Sequence, residues 1–63
     1  MFDDNLYIQR LDSCGWVTMV TIGDGKFMDS ASLRRRMQEV QRQNGNRSVR
    51  VVDGDDRMVD MLN

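Results

Sequence analysis

Three residue types that usually carry chemistry or cross-linking are scarce or missing. The 63-residue chain has no histidine, no proline and one cysteine, Cys14. One thiol rules out an internal disulfide. One thiol without histidine also leaves no Cys/His set for zinc, which takes about four such ligands. Without histidine there is no Cys–His or Ser–His pair, so nucleophilic catalysis has no partner group. The chain is too short to wall a deep cleft, and no paired acid–base constellation stands out by spacing. These absences exclude the common enzyme classes and lead us to expect no catalytic residue, no metal and no cofactor.

Other absences bear on location. No apolar run approaches the ~18–20 residues of a membrane span. The start, "MFDDNLYIQR", has neither the basic region nor the apolar run of a secretory signal. A lone cysteine suits a reducing compartment. The expectation is a cytoplasmic protein.

Hydrophobic residues make up 40% of the chain, enough for a folded domain. We expect one domain over residues 1–63. A chain of this length buries only about 60% of its unfolded surface, so it needs a very good small core or a partner subunit. A homodimer is expected.

Charge is unevenly distributed. From Ser30 to Arg50, Arg34, Arg35, Arg36, Arg42, Arg47 and Arg50 face one acid, Glu39, whereas the segments on either side are acidic. Residues 6–11, "LYIQRL", are β-prone, with Tyr7 and Leu11 on one face and Leu6 and Ile8 on the other. "DSCG" (12–15) is a turn. Residues 16–22, "WVTMVTI", make the strongest strand signal. Strict alternation puts Trp16, Val20 and Ile22 on one face and Val17 and Met19 on the other. After the loop "GDGK" (23–26), Asp29 is positioned to cap a helix with its carboxylate, and Met28 and Leu33 to form a hydrophobic staple. Leu33, Met37 and Val40 recur at helical spacing. "NGN" (44–46) ends the helix, with Gly45 left-handed. Residues 47–53 form a third strand, with Val49 and Val51 facing one way and Val52 the other. "DGDD" (53–56) is a turn. Residues 57–62 read as a fourth strand, with a short terminal helix as the alternative.

The expected fold is therefore α+β, β-β-α-β-β: a four-stranded, mainly antiparallel sheet with one helix packed on one face. One helix cannot cover both faces, so the other face is expected to be partly exposed. Trp16, Val17 and Met19 are the candidate interface residues. In so small a domain Trp16 has a core role as its rival reading.

The arginines are the candidate partner-binding set: Arg34, Arg35, Arg36, Arg42, Arg47 and Arg50. Their simpler reading is a ladder of surface ion pairs, Arg35 and Arg42 about Glu39. Their functional reading is a surface for carboxylates or phosphates, to which arginine is better suited than lysine. "GDGK" has part of a phosphate loop but lacks its glycine–lysine spacing. Asp53 and Asp55 begin a calcium-loop pattern, but Arg57 stands at a ligand position.

In size, acidic balance and layout ("LYIQRL", "WVTMVTI", "SLRRRMQEVQRQNG", "SVRVVD") the chain resembles small phage-encoded inhibitors: those that block host RNA polymerase, and the anti-CRISPR proteins. The likeness is one of architecture. It implies a non-catalytic viral protein that blocks a host protein or protein–nucleic-acid complex by direct contact. The alternative is a small dimeric nucleic-acid-binding regulator that uses the basic helix. The overall acidic charge disfavours that alternative, since dedicated binders have a pI above about 9.

Overall fold

The computed structural model describes residues 4–62. Strand β1 (Leu6–Asp12) turns into β2 (Gly15–Ile22), and a short 3-10 turn (Gly25–Phe27) leads to helix α1 (Ser30–Gln43). Strands β3 (Val49–Val52) and β4 (Met58–Leu62) complete an α+β chain of order β-β-α-β-β. The sheet order is β2-β1-β3-β4, and all neighbours are antiparallel. The last segment is a strand, not a terminal helix. The third strand is shorter than residues 47–53, because Arg47 and Ser48 lead into it as loop.

Period-2 alternation on β1 and 3.6-residue spacing on α1 build the core. Leu6 and Ile8 from β1, Val49 and Val51 from β3, and Leu33, Met37 and Val40 from α1 form one buried cluster. Val20, Ile22, Met28 and Leu62 pack at its margin. Met28 beside this core and Leu33 within it are the two members of the expected staple. The helix lies chiefly over β1, β3 and β4, leaving the first half of β2 uncovered.

Two glycines are required by geometry. A Cβ on Gly25 would stand 3.0 Å from Leu6 Cβ and 3.1 Å from Ile22 Cγ2, so the turn can close onto the sheet only without one. Gly45 (φ 72°) reverses the chain after the helix, and the Asn46 amide donates to the Gln41 carbonyl (2.8 Å) in a Schellman closure.

The register departs from simple alternation. Ile8 pairs with Val20 but Gln9 pairs with Thr18, so Met19 is an extra residue on β2, a β-bulge. The bulge exchanges the faces of everything before it. Trp16 therefore lies opposite Leu11, on the face away from the helix, while Val20 and Ile22 stay on the core face. This corrects the grouping of Trp16 with Val20 and Ile22. Val17, opposite Arg10, is on the helix side of the sheet, but beyond the helix, and is exposed. A second bulge places Val59 as the extra residue on β4. Both edge strands thus carry a bulge, a device that discourages edge-to-edge pairing.

Candidate functional site

Two surfaces can meet a partner: the outer side of α1 and the sheet face that α1 leaves open. The arginine-rich segment divides between them.

Arg50 is on the open face. It lies on β3 opposite Gln9 of β1 and Met61 of β4. Its side chain runs across β1: Nε donates to Gln9 Oε1 (2.7 Å), and the guanidinium carbon sits 4.5 Å from the centroid of the Trp16 ring. Gln9 Nε2 in turn donates to Thr18 Oγ1 (3.2 Å). A cation–π contact of this kind contributes about 0.5–1 kcal/mol at an exposed site. Arg50 is therefore separated from the helix arginines with which its sequence position groups it. Tyr7, Thr21, Val52 and Met58 lie in one cross-strand row of this face, and Leu11 beside Trp16 in another. Val52 is only 2% exposed yet stands outside the main core cluster.

Arg34 and Arg47 are engaged within the fold. Arg34 pairs with Asp60 of β4 (3.5 Å), which ties the helix to the edge strand. Arg47 pairs with Asp12 (3.3 Å), which also receives Arg10 (3.4 Å). The Asp12 pKa is lowered, first by the Ser13 amide that it accepts and then by the charges of Arg10 and Arg47.

Arg35, Arg36 and Arg42 are exposed and make no ion pair among the described residues. The expected ladder through Glu39 does not form. Arg35 and Arg36 flank a shallow surface depression with Met28, Ser32 and Glu39, which sets one apolar side chain and one carboxylate beside two guanidinium groups. Asp29 occupies the cap position with extended backbone, but makes no side-chain cap hydrogen bond of good geometry. Its pKa is nonetheless lowered, first by the neighbouring Ser32 hydroxyl and only weakly by Arg35.

The acidic turn is structural. Asp53 Oδ1 accepts the amides of Asp55 (2.9 Å) and Arg57 (3.0 Å), and these close the β3–β4 connection. The Arg57 amide is the first cause of Asp53's lowered pKa. Among the described residues no group of three or more acidic or thiol side chains is placed to hold a metal ion. Cys14 is an exposed free thiol in the β1–β2 turn.

Sequence reasoning missed the clamp between β1 and the helix end. Arg10 Nη1 donates to Asn44 Oδ1 (2.8 Å), while Asn44 Nδ2 donates to the Val40 carbonyl (2.7 Å). A signal was present: Leu6, Ile8 and Arg10 share a period-2 face, so Arg10 had to point toward the helix side.

No protein-family model, curated protein or solved structure matches the chain. Among the described residues no helix is long and apolar enough to cross a membrane.

Proposed function

We propose that the chain is a non-catalytic binding protein, of the phage-inhibitor type, that acts by covering an acidic surface of a host protein or protein–nucleic-acid complex. The observation that carries this reading is the division of labour among the arginines. Arg10, Arg34, Arg47 and Arg50 are spent on internal contacts. Arg35, Arg36 and Arg42 are exposed on one helix with no internal anion in ion-pair contact. Arginine with an apolar neighbour is the composition of interface hot spots, and Met28 supplies that neighbour. Bidentate guanidinium groups suit carboxylates as well as phosphates. A protein partner is favoured because the chain as a whole is acidic, with a pI near 5.1.

The test is quantitative capture from nuclease-treated host lysate, with the wild type compared with Arg35→Glu/Arg42→Glu and with Leu11→Lys on the opposite face. The double charge reversal is expected to reduce capture of the specific partner at least tenfold, or about 1.4 kcal/mol. Leu11→Lys should retain it. Equal capture by wild type and double variant would refute the assignment. Loss of all capture on nuclease treatment would favour the nucleic-acid regulator instead.

A further inference from the structure

We infer that an acidic amphipathic helix of the partner lies beside α1, on the strip of β2 that α1 leaves uncovered. The inference rests on the reading of Arg35 and Arg36 as partner-binding. It goes further by naming the element they receive and the surface that element lies on.

The strip is on the same side of the sheet as α1. Val17 pairs with Arg10, Val20 with Ile8 and Ile22 with Leu6, and Leu6 and Ile8 belong to the core beneath the helix. Val17, Val20 and Ile22 therefore make an uncharged, apolar row on the helix side. Val20 and Ile22 reach the margin of the core, while Val17 is 40% exposed. Helix α1 sits over β3, with β1 and β4 to either side. Strand β2 is two strands from β3, about 10 Å away. That is the distance at which a second helix packs against a first, ~8–10 Å. From Val17 to Ile22 the row runs roughly 16 Å, the length of about three helical turns.

The wall beside the strip is a flank of α1. Arg34 is held to Asp60 of β4. Arg36 is two residues on, about 200° around the helix, so it stands on the opposite flank, nearer β2. With Met28, Arg35 and Glu39 it lines the shallow depression on that side. The 3-10 turn closes one end of the strip, since Gly25 packs against Leu6 and Ile22. The amides of Lys26, Phe27 and Met28 are all bonded, to the carbonyls of Asp4, Asp24 and Gly25. This held turn carries Phe27, which is 77% exposed. A large aromatic presented to solvent by a held backbone has the character of an interface anchor.

Charge and shape select the occupant. The wall sets two guanidinium groups, without ion-pair partners among the described residues, against one carboxylate, Glu39. The floor carries no charge. The complement is an apolar stripe with acids on its flank, which is the pattern of an acidic amphipathic helix seated in a groove. A second copy does not supply it, because the outward side of α1, the only helix of its length among the described residues, is itself basic. An added strand does not supply it either. It would run along the outer edge of β2, where the bulge at Met19 interrupts the ladder, and would leave Val17 uncovered.

The probe is a synthetic peptide of about four helical turns, with leucine at helical spacing and glutamate on both flanks. Its counterpart has lysine for glutamate. Binding is read from the anisotropy of the labelled peptide and from amide chemical shifts of the full chain. The glutamate peptide is expected to bind at sub-millimolar concentration and to shift Val17, Val20, Phe27 and Arg36, whereas the lysine peptide does not bind. Val17→Asp and, independently, Phe27→Ala should weaken binding about tenfold or more with unchanged circular dichroism. Leu11→Lys, on the opposite face of the sheet, should leave it unchanged. Absence of binding overturns the inference, as does equal binding of the two peptides. Binding that tolerates both Val17→Asp and Phe27→Ala, or that is lost in Leu11→Lys, overturns it as well. These two variants leave every arginine in place. If they bind the peptide like the wild type while Arg35→Glu/Arg42→Glu still loses the partner, the proposed function stands and this inference alone falls.

Discussion

Ile8→Ala is expected to lower stability by about 2–5 kcal/mol, the usual cost of removing a buried branched side chain from a packed core. The position is unusually exacting. Ile8 is fully buried at 0% exposure, on a central strand, opposite Val20 on one side and Val51 on the other. Among the described residues its core cluster has seven buried members, so few neighbours can relax into the space. Domains of this length hold roughly 3–9 kcal/mol in total, at ~0.05–0.15 kcal/mol per residue. The variant should therefore be close to unfolded at room temperature. Leu11→Ala, three residues along the same strand but on the open face, is the control and should cost less than ~1 kcal/mol. Urea unfolding of the three proteins at one fixed protein concentration makes the comparison. An Ile8→Ala cost near that of Leu11→Ala would mean that the core is not where the helix stripe places it.

The second large effect is expected at Asn44, a residue with no apolar surface to bury. Its side chain bridges two elements, donating to the Val40 carbonyl at the end of α1 and accepting from Arg10 on β1. Arg10 is a half-buried cation whose Nε is buried without a partner, and its other anchor is Asp12 at 3.4 Å. Asn44→Ala removes the better acceptor of Arg10, while the Val40 carbonyl keeps the Asn44 backbone amide (3.1 Å), so the loss falls mainly on the half-buried N–H groups of the Arg10 guanidinium. Leaving such groups unsatisfied costs about 1–3 kcal/mol. Asn44→Asp separates the two roles. It keeps the acceptor for Arg10 but loses the donor and adds negative charge at the helix C-terminus, which the helix dipole disfavours. A double-mutant cycle with Arg10→Met should show a coupling of about 0.5–3 kcal/mol between the two residues. Additive costs would show that the helix end is held by backbone closure alone.

Much of the fold was legible because local signals agreed with the global one. The Leu33/Met37/Val40 stripe, the left-handed Gly45 and the two acidic turns each marked an element, and together they fixed β-β-α-β-β. What could not be read was register. An extra residue at Met19 has no sequence signature, since "WVTMVTI" is equally good strand with or without it. That single residue decides whether Trp16 joins the core or the open face. The arginine surface was misjudged for a related reason. Helical spacing shows which residues are neighbours along α1, but not that Asp60 of β4 reaches Arg34. Nor does it show that Arg50, two residues before the buried Val52, points away from the helix altogether. The three arginines left exposed were in the candidate set, but only tertiary contacts separate them from the others.

The central claim is that the bulge at Met19 gives the sheet one face closed by α1 and one open face headed by the Trp16–Arg50 pair. Nuclear Overhauser contacts of the Trp16 indole test it directly. The account predicts contacts with Arg50 side-chain protons and with Leu11, and none with Leu33 or Met37. Contacts from the indole to Leu33, Met37 or Val40 would place the ring beneath the helix and contradict the account.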